Sequence, residues 1–222
     1  MHLHLVRAEV LLPVTVKSRI RSATNVSQLV AVESRAKSTA DHYQTGVKMS
    51  YKGKLLVAHP MLTDFFNRAV IYVYKDDSAG TMGLVLNKPT KYTVKALIAE
   101  RALMYEGREH VYKGGPVTEN AIFMLHTDEW YSQSTSQISK KLAITSDDFM
   151  MQKLAMQQHP SRWRLFAGIA AWKPGQLTQE VLSQYGWLTC DANDSIVFNK
   201  DGERQWNAAL QMCANQTIDS YF

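Results

Sequence analysis

The chain has little cysteine, little proline and no long apolar run, and each shortage removes a class of protein. Its two cysteines are Cys190 and Cys213. Two thiols at that spacing make neither a disulfide framework nor a zinc site, so the expectation is a pair of reduced packing residues in a cytoplasmic protein. No stretch approaches the roughly 20 apolar residues that span a bilayer, which argues against a membrane protein. The histidines beyond residue 48 are His59, His110, His126 and His159, and they show no HxH or HExxH spacing, so no metal is expected. Neither GxGxxG nor a Walker-type glycine loop is present, and no cofactor is expected. Ser and Asp are scattered without a spacing that assembles a triad, so no catalytic residue is assigned.

Charge of one sign is also nearly missing from most of the chain. The formal net charge is +5, but residues 1–48 hold seven Lys/Arg against three Asp/Glu, which leaves eighteen against seventeen for residues 49–222. The larger part therefore has no overall pull toward nucleic acid. Its helical segments alternate with strands, whereas a helix-turn-helix needs two adjacent helices, and this too argues against direct DNA binding. Residues 1–48 lack a sustained period, and Pro13 interrupts their one apolar run. They offer neither the h-region nor the cleavage site of a secretory signal. They read as a disordered extension, or as the product of an upstream start with Met49 the true initiator, followed by one domain over residues 49–222.

What is present is enough for a core: 45% of residues are hydrophobic and 20% charged. The stretch Gly80-Thr-Met-Gly-Leu-Val-Leu-Asn87-Lys-Pro89 reads as a turn entering a strand. Met82, Leu84 and Leu86 alternate to one face and Gly83, Val85 and Asn87 to the other. A glycine inside a strand marks a close approach, and Pro89 is expected to stop the ladder. Lys54–Ala58 and the continuous apolar run Ala69–Tyr74 read as strands, the second covered on both faces and forming a hairpin with Thr81–Asn87. Further strands are expected at 111–113, 121–126, 142–144, 163–169, 187–190 and 195–198. Helices are expected from about Thr93 to Met104, over Asp147–Gln157 with Ser146 as cap, from the Pro174-Gly175 turn to about Tyr185, and over Glu203–Met212. Strands and helices alternate, but several strands adjoin by short turns, which predicts a mixed sheet in a single α+β domain.

Six segments occur in an order that resembles the YqgE/AlgH family of bacterial proteins. They are Gly53–Ala58, Phe66–Ile71, Gly80–Pro89, Gly114-Gly-Pro-Val117, Gly168–Glu180 and Trp187-Leu188, and the resemblance spans roughly Met49 to Leu210. It implies an α+β fold with a bent sheet approaching a pseudo-barrel and helices packed outside. One branch of the family is named as a transcriptional regulator of alginate synthesis, but no enzyme reaction or DNA-binding element defines the family. Here Ile169-Ala170-Ala171 stands where Tyr-Ala-Gly is more usual, and Lys173 where a small residue is common.

Candidate residues carry both a bland and a functional reading. Gly114, Gly115 and Pro116 present backbone N–H groups, though a structural tight turn is the simpler account. Trp172, Gly175, Gln176 and Glu180 surround a helix start after Pro174-Gly175, and form the best pocket candidate. Asn87 and Arg68 flank apolar strands, as buried structural asparagines and paired arginines do. Pro89 completes the central motif, and His126 ends an apolar strand as a hydrogen-bonded group or a pocket acid/base. The leading expectation is a non-enzymatic cytoplasmic protein acting through a protein partner or small ligand, with any effect on transcription indirect. The alternatives are a hydrolase-like small-molecule enzyme using His126 or Glu180 as acid/base, and a regulator that binds DNA directly.

Overall fold

The structure, a computed structural model, describes residues 50–183 and 186–219. The expectations about residues 1–48 lie outside the described residues. Ten strands form one sheet: β1 (Lys54–Ala58), β2 (Val70–Asp77), β3 (Gly80–Val85), β4 (Pro89–Thr93), β5 (His110–Lys113), β6 (Val117–Thr127), β7 (Ser136–Gln137), β8 (Leu142–Thr145), β9 (Trp163–Trp172) and β10 (Trp187–Asp191). Among the described residues five helices accompany them: α1 (Val94–Ala99), α2 (Asp148–Ala155), α3 (Gln176–Leu182), α4 (Asp194–Phe198) and α5 (Gly202–Asp219). The main path runs β10-β1-β2-β3-β9-β6-β8-β7, with β4 on β5 and β5 on β9. Among the described residues only the β5–β9 pairing is parallel, so the sheet is mixed, and it curls into a half-barrel with helices packed on both of its faces.

The long strand β9 organises the curl. Its first half lies between β6 and β5, with Phe166 opposite both Phe123 and Tyr112. Its last residues pair instead with β3, Gly83 facing Ala170 and Thr81 facing Trp172. The exchange of neighbours falls at Gly168, whose φ of +73° lies in the left-handed region that glycine favours. There the backbones of Gly168 and Gly115 touch: a Cβ on Gly115 would stand 2.0 Å from the Ile169 carbonyl carbon, and one on Gly168 would stand 2.6 Å from the Gly115 oxygen. Gly83 meets its expectation of close approach too, since a Cβ there would fall 2.5 Å from Ile71 Cγ2.

Period-two alternation sends side chains to two separate cores. Leu55, Val57, Tyr72, Leu84 and Leu86 face α4 and α5, against Ile196, Trp206 and Cys213. Leu56, Ile71, Val73 and Val85 face the other way, against Leu177 and Val181 of α3. Burial on both faces is why β1 and β2 read as near-continuous apolar runs. A third cluster packs α1 and α2 over Met124 and Leu165.

Several expectations need correction. The run 195–198 is helix, not strand, because Asn193 caps it by accepting from the Ile196 N–H at 2.8 Å. Pro89 does not end the ladder but opens β4 opposite Tyr112, and the first residue of a strand is a position where a missing N–H is tolerated. Asp147, not Ser146, caps α2, accepting from the Met150 N–H at 2.7 Å, while the Ser146 hydroxyl donates to the Ile122 carbonyl. Cys190 and Cys213 are not free thiols. They form a disulfide between β10 and α5 across a Cα separation of 5.1 Å. Both point into the same core, and a sequence separation of 23 residues does not reveal that.

Candidate functional site

A cavity of about 500 Å³ opens where the end of β9, the turn into α3 and the start of β10 meet the loop that leads into β2. Trp172 ends β9, and its backbone runs so close to the β2–β3 turn that a Cβ on Gly80 would lie 2.4 Å from the Trp172 oxygen. The chain then reverses at Pro174-Gly175. Gly175 takes φ +76° with open space around its Cβ position, so its glycine serves backbone conformation and not clearance. The reversal brings Glu180 back beneath Trp172, and β10 adds Trp187 beside it.

Glu180 is the centre of the arrangement. Its Oε2 accepts from the indole N–H of Trp172 at 2.9 Å and from that of Trp187 at 2.8 Å. Its Oε1 accepts from the Gln176 amide at 2.9 Å, and the other end of that amide accepts from the Lys173 N–H at 3.0 Å. Both tryptophans are 5% exposed, and buried indole N–H groups need an acceptor. Phe66 completes an aromatic wall, nearly parallel to Trp172 at 6.2 Å and edge-on to Trp187 at 5.4 Å. It is aimed there by an Asx turn in which Asp64 accepts from the Phe66 N–H at 2.7 Å. The preceding ring, Phe65, carries two cations, Lys88 at 4.8 Å and Lys113 at 5.1 Å from its centroid. Burial, and less so Lys113, holds Lys88 below the usual lysine range, against the pull of Asp64.

Of the expected residues, Pro116, Trp172, Gln176 and Glu180 line the cavity, and Gly175 forms the turn beside it. The others lie elsewhere. Gly114 and Gly115 are spacers between β5 and β9, where a Cβ on Gly114 would meet the Gly168 oxygen at 2.2 Å. Asn87 is buried and ties three segments together: it accepts from the Val70 N–H at 2.9 Å and donates to the carbonyls of Arg68 at 2.7 Å and Gly202 at 3.0 Å. Arg68 lies exposed, paired with Glu203 at 2.5 Å and stacked over Trp206 at 5.6 Å. Pro89 is an exposed strand residue.

His126 is fully buried on β6, away from the cavity lining. Its Nδ1 donates to the Thr127 carbonyl at 2.8 Å, so Nε2 accepts from the Thr145 hydroxyl at 2.9 Å. Burial holds it below the usual histidine range, opposed by the Thr127 carbonyl and by Glu129 and Asp128. This is a neutral, engaged imidazole within the protein interior.

Sequence reasoning missed Phe66, Asp64 and Trp187 as cavity residues. Trp187 had one usable signal: two tryptophans flank the helix that carries Glu180, and both indoles require an acceptor. Among the described residues, no group of three or more His, Cys, Asp or Glu is placed to hold a metal, and no helix is long and apolar enough to cross a membrane.

Comparison with known proteins agrees with this architecture. A family model described as AlgH-like matches residues 55–217. A UPF0301 protein of Aliivibrio fischeri strain MJ11 is 32% identical over 173 residues, covering 74% of this chain and 92% of its own length. A UPF0301 protein of Haemophilus influenzae strain 86-028NP is 32% identical over 170 residues, covering 74% and 91%. Among solved structures, the AlgH protein of Pseudomonas aeruginosa superposes with a TM-score of 0.64 at 28% identity, over 75% of this chain and 90% of that one. A Corynebacterium diphtheriae protein shares the fold at 23% identity and a TM-score of 0.58. The chain belongs to the AlgH-like family.

Proposed function

We propose that this protein is a non-enzymatic binding module, and that a small ligand or a segment of a partner protein seats in the cavity walled by Phe66, Trp172 and Trp187. The observation that carries this reading is the state of Glu180. Its carboxylate accepts from three neutral donors, the two indoles of the cavity wall and the Gln176 amide, and so serves to hold that wall together. A cavity of about 500 Å³ is of the size that takes a small molecule or one anchoring side chain. Any effect on transcription is then exerted through the bound partner or ligand and not by contact with DNA.

The protein acts in the cytoplasm in this reading, and the disulfide is compatible with that. Its sulfurs belong to residues only 1% and 2% exposed, and thiol–disulfide exchange requires access. The test is affinity purification of the full chain from a cell lysate, followed by native mass spectrometry. A stoichiometric companion retained by the wild type and lost from Phe66→Leu supports the reading. Hydrolysis of any member of a small-ester or phosphoester panel, abolished by Glu180→Gln or His126→Gln, overturns it in favour of an enzyme.

A further inference from the structure

We propose that the cavity takes a small organic cation, a guanidinium or alkylammonium group on a short apolar stem; this rests on the binding role proposed above and names the ligand's chemistry. The argument begins with an uncompensated charge. A carboxylate has about four acceptor sites. Glu180 uses three, all on neutral N–H groups, and among the described residues it belongs to no ion pair. The acceptor site left over is on Oε1. An anion held against an apolar wall without a counter-charge is unfavourable, and a bound cation offsets that cost.

The wall itself has the same preference. Aromatic rings present negative faces, and a cation over Trp or Phe is attracted to them, most strongly where water is excluded. Phe66, Trp172 and Trp187 stand with centroids 5.4 to 6.2 Å apart, so they form one continuous surface with Glu180 at its edge. The ionisable groups lining the cavity are Asp64 and Glu180, both acidic. Lys88 and Lys113 reach Phe65, the neighbouring ring, and not the cavity lining. Asp64 is partly offset by Lys88, which it attracts, whereas Glu180 has no such partner among the described residues, so an anionic ligand would meet the Glu180 carboxylate and no cation among the described lining residues. A neutral ligand would leave the charge of Glu180 unmatched.

The test uses the full chain with three probes of similar length: agmatine, a guanidinium on a four-carbon stem that ends in a second, ammonium, charge; butylurea, a neutral urea on a four-carbon stem; and glutarate, an anion. Binding is read by calorimetry and by the indole N–H resonances of Trp172 and Trp187 in 15N-labelled protein. Agmatine is expected to shift both resonances saturably and to bind at least about tenfold more tightly than butylurea, as a charge-assisted contact provides. Glutarate is expected to leave them unmoved. Glu180→Gln keeps an acceptor for the indoles and is expected to reduce agmatine affinity about tenfold. Phe66→Leu keeps apolar volume without the ring and is expected to reduce it about threefold. Unchanged far-UV circular dichroism and urea midpoints within the range of the wild type show that each free variant is folded.

Equal affinity for agmatine and butylurea, a preference for glutarate, or no binding of any probe overturns the cation assignment. None of these results decides the binding role itself, which the co-purification experiment tests separately. Loss of agmatine binding in Phe66→Leu but not in Glu180→Gln also overturns the proposal, because the carboxylate would then not be the recognition element.

Discussion

Glu180 and His126 are alike in the sequence, each a lone ionisable residue beside an apolar run, and the structure gives them different surroundings. Glu180 lies at a cavity wall, where two indoles and an amide donate to it. Truncation to Ala leaves two buried indole N–H groups without their acceptor. The expected loss is about 2 kcal/mol, with Glu180→Gln losing less because its carbonyl still accepts, and urea denaturation of both variants measures the difference. His126 is neutral and buried, held below its ordinary value of 6.5 by burial, so in the unfolded chain it takes up a proton at a higher pH than in the native state. The unfolded state therefore binds more protons in the window just below 6.5, and native stability falls as pH drops through it. His59, which burial also lowers, adds to the same loss. Stability is expected to be lower at about pH 5.5 than at about pH 7.5, and the difference to shrink in His126→Gln. An unchanged difference in that variant would remove His126 from the account.

Among elements, the junction where β5 runs out beside β9 is one of the tightest places in the fold. A methyl on Gly115 would overlap the Ile169 carbonyl at 2.0 Å, and backbone on both sides leaves nothing flexible to give way. Gly115→Ala is expected to destabilise by about 3 kcal/mol or more. Gly53→Ala meets no atom within 4 Å and bears only the strain of φ +80°, so about 1 kcal/mol is expected there. Comparable losses at the two sites would refute the close-approach reading. Glycine positions of this kind are legible in a sequence as punctuation, but whether clearance or conformation is at stake depends on a neighbour some 50 residues away in the chain, as Gly168 is from Gly115. The apolar periods were legible for a plainer reason. Strands buried on one or two faces must alternate or run continuously, and Ala69–Tyr74, Thr81–Asn87 and Trp163–Ile169 did so. The segment 195–198 misled because its β-branched residues suit a strand, while the Asn193 cap that decides for helix is a single side-chain contact. The cavity was half legible. Trp172, Gln176 and Glu180 share one turn and one short helix, whereas Phe66 comes from the loop before β2 and Trp187 from β10, and both reach the site only through sheet order.

At the scale of the whole molecule the sheet is a partition. Residues of β10 alternate between its faces, Trp187 packing on the α3 side and Leu188 and Cys190 on the α5 side. The aromatic cavity and the disulfide are thus anchored on the same short strand but belong to different cores. The disulfide ties α5, the last helix, to a strand at one end of the sheet path, closing a segment of 23 residues. Closing a loop of that length in the unfolded chain restricts it by an amount worth about 3 kcal/mol in the chain-entropy account. Reduction under mild denaturant, or Cys213→Ser, is expected to lower the urea midpoint accordingly. The indole resonances of Trp172 and Trp187 should stay in place in the folded protein, because packing on the α3 face does not depend on the crosslink. A reduced protein of undiminished stability would mean that the packing of Trp206 and Ala209 and the hydrogen bonds of α5, such as Trp206 to the Ala58 carbonyl and Arg164 to Gln205, hold the helix without the crosslink. Displaced indole resonances would mean that the two faces communicate through β10, and the cavity would then respond to the redox state of a bond on the far side of the sheet.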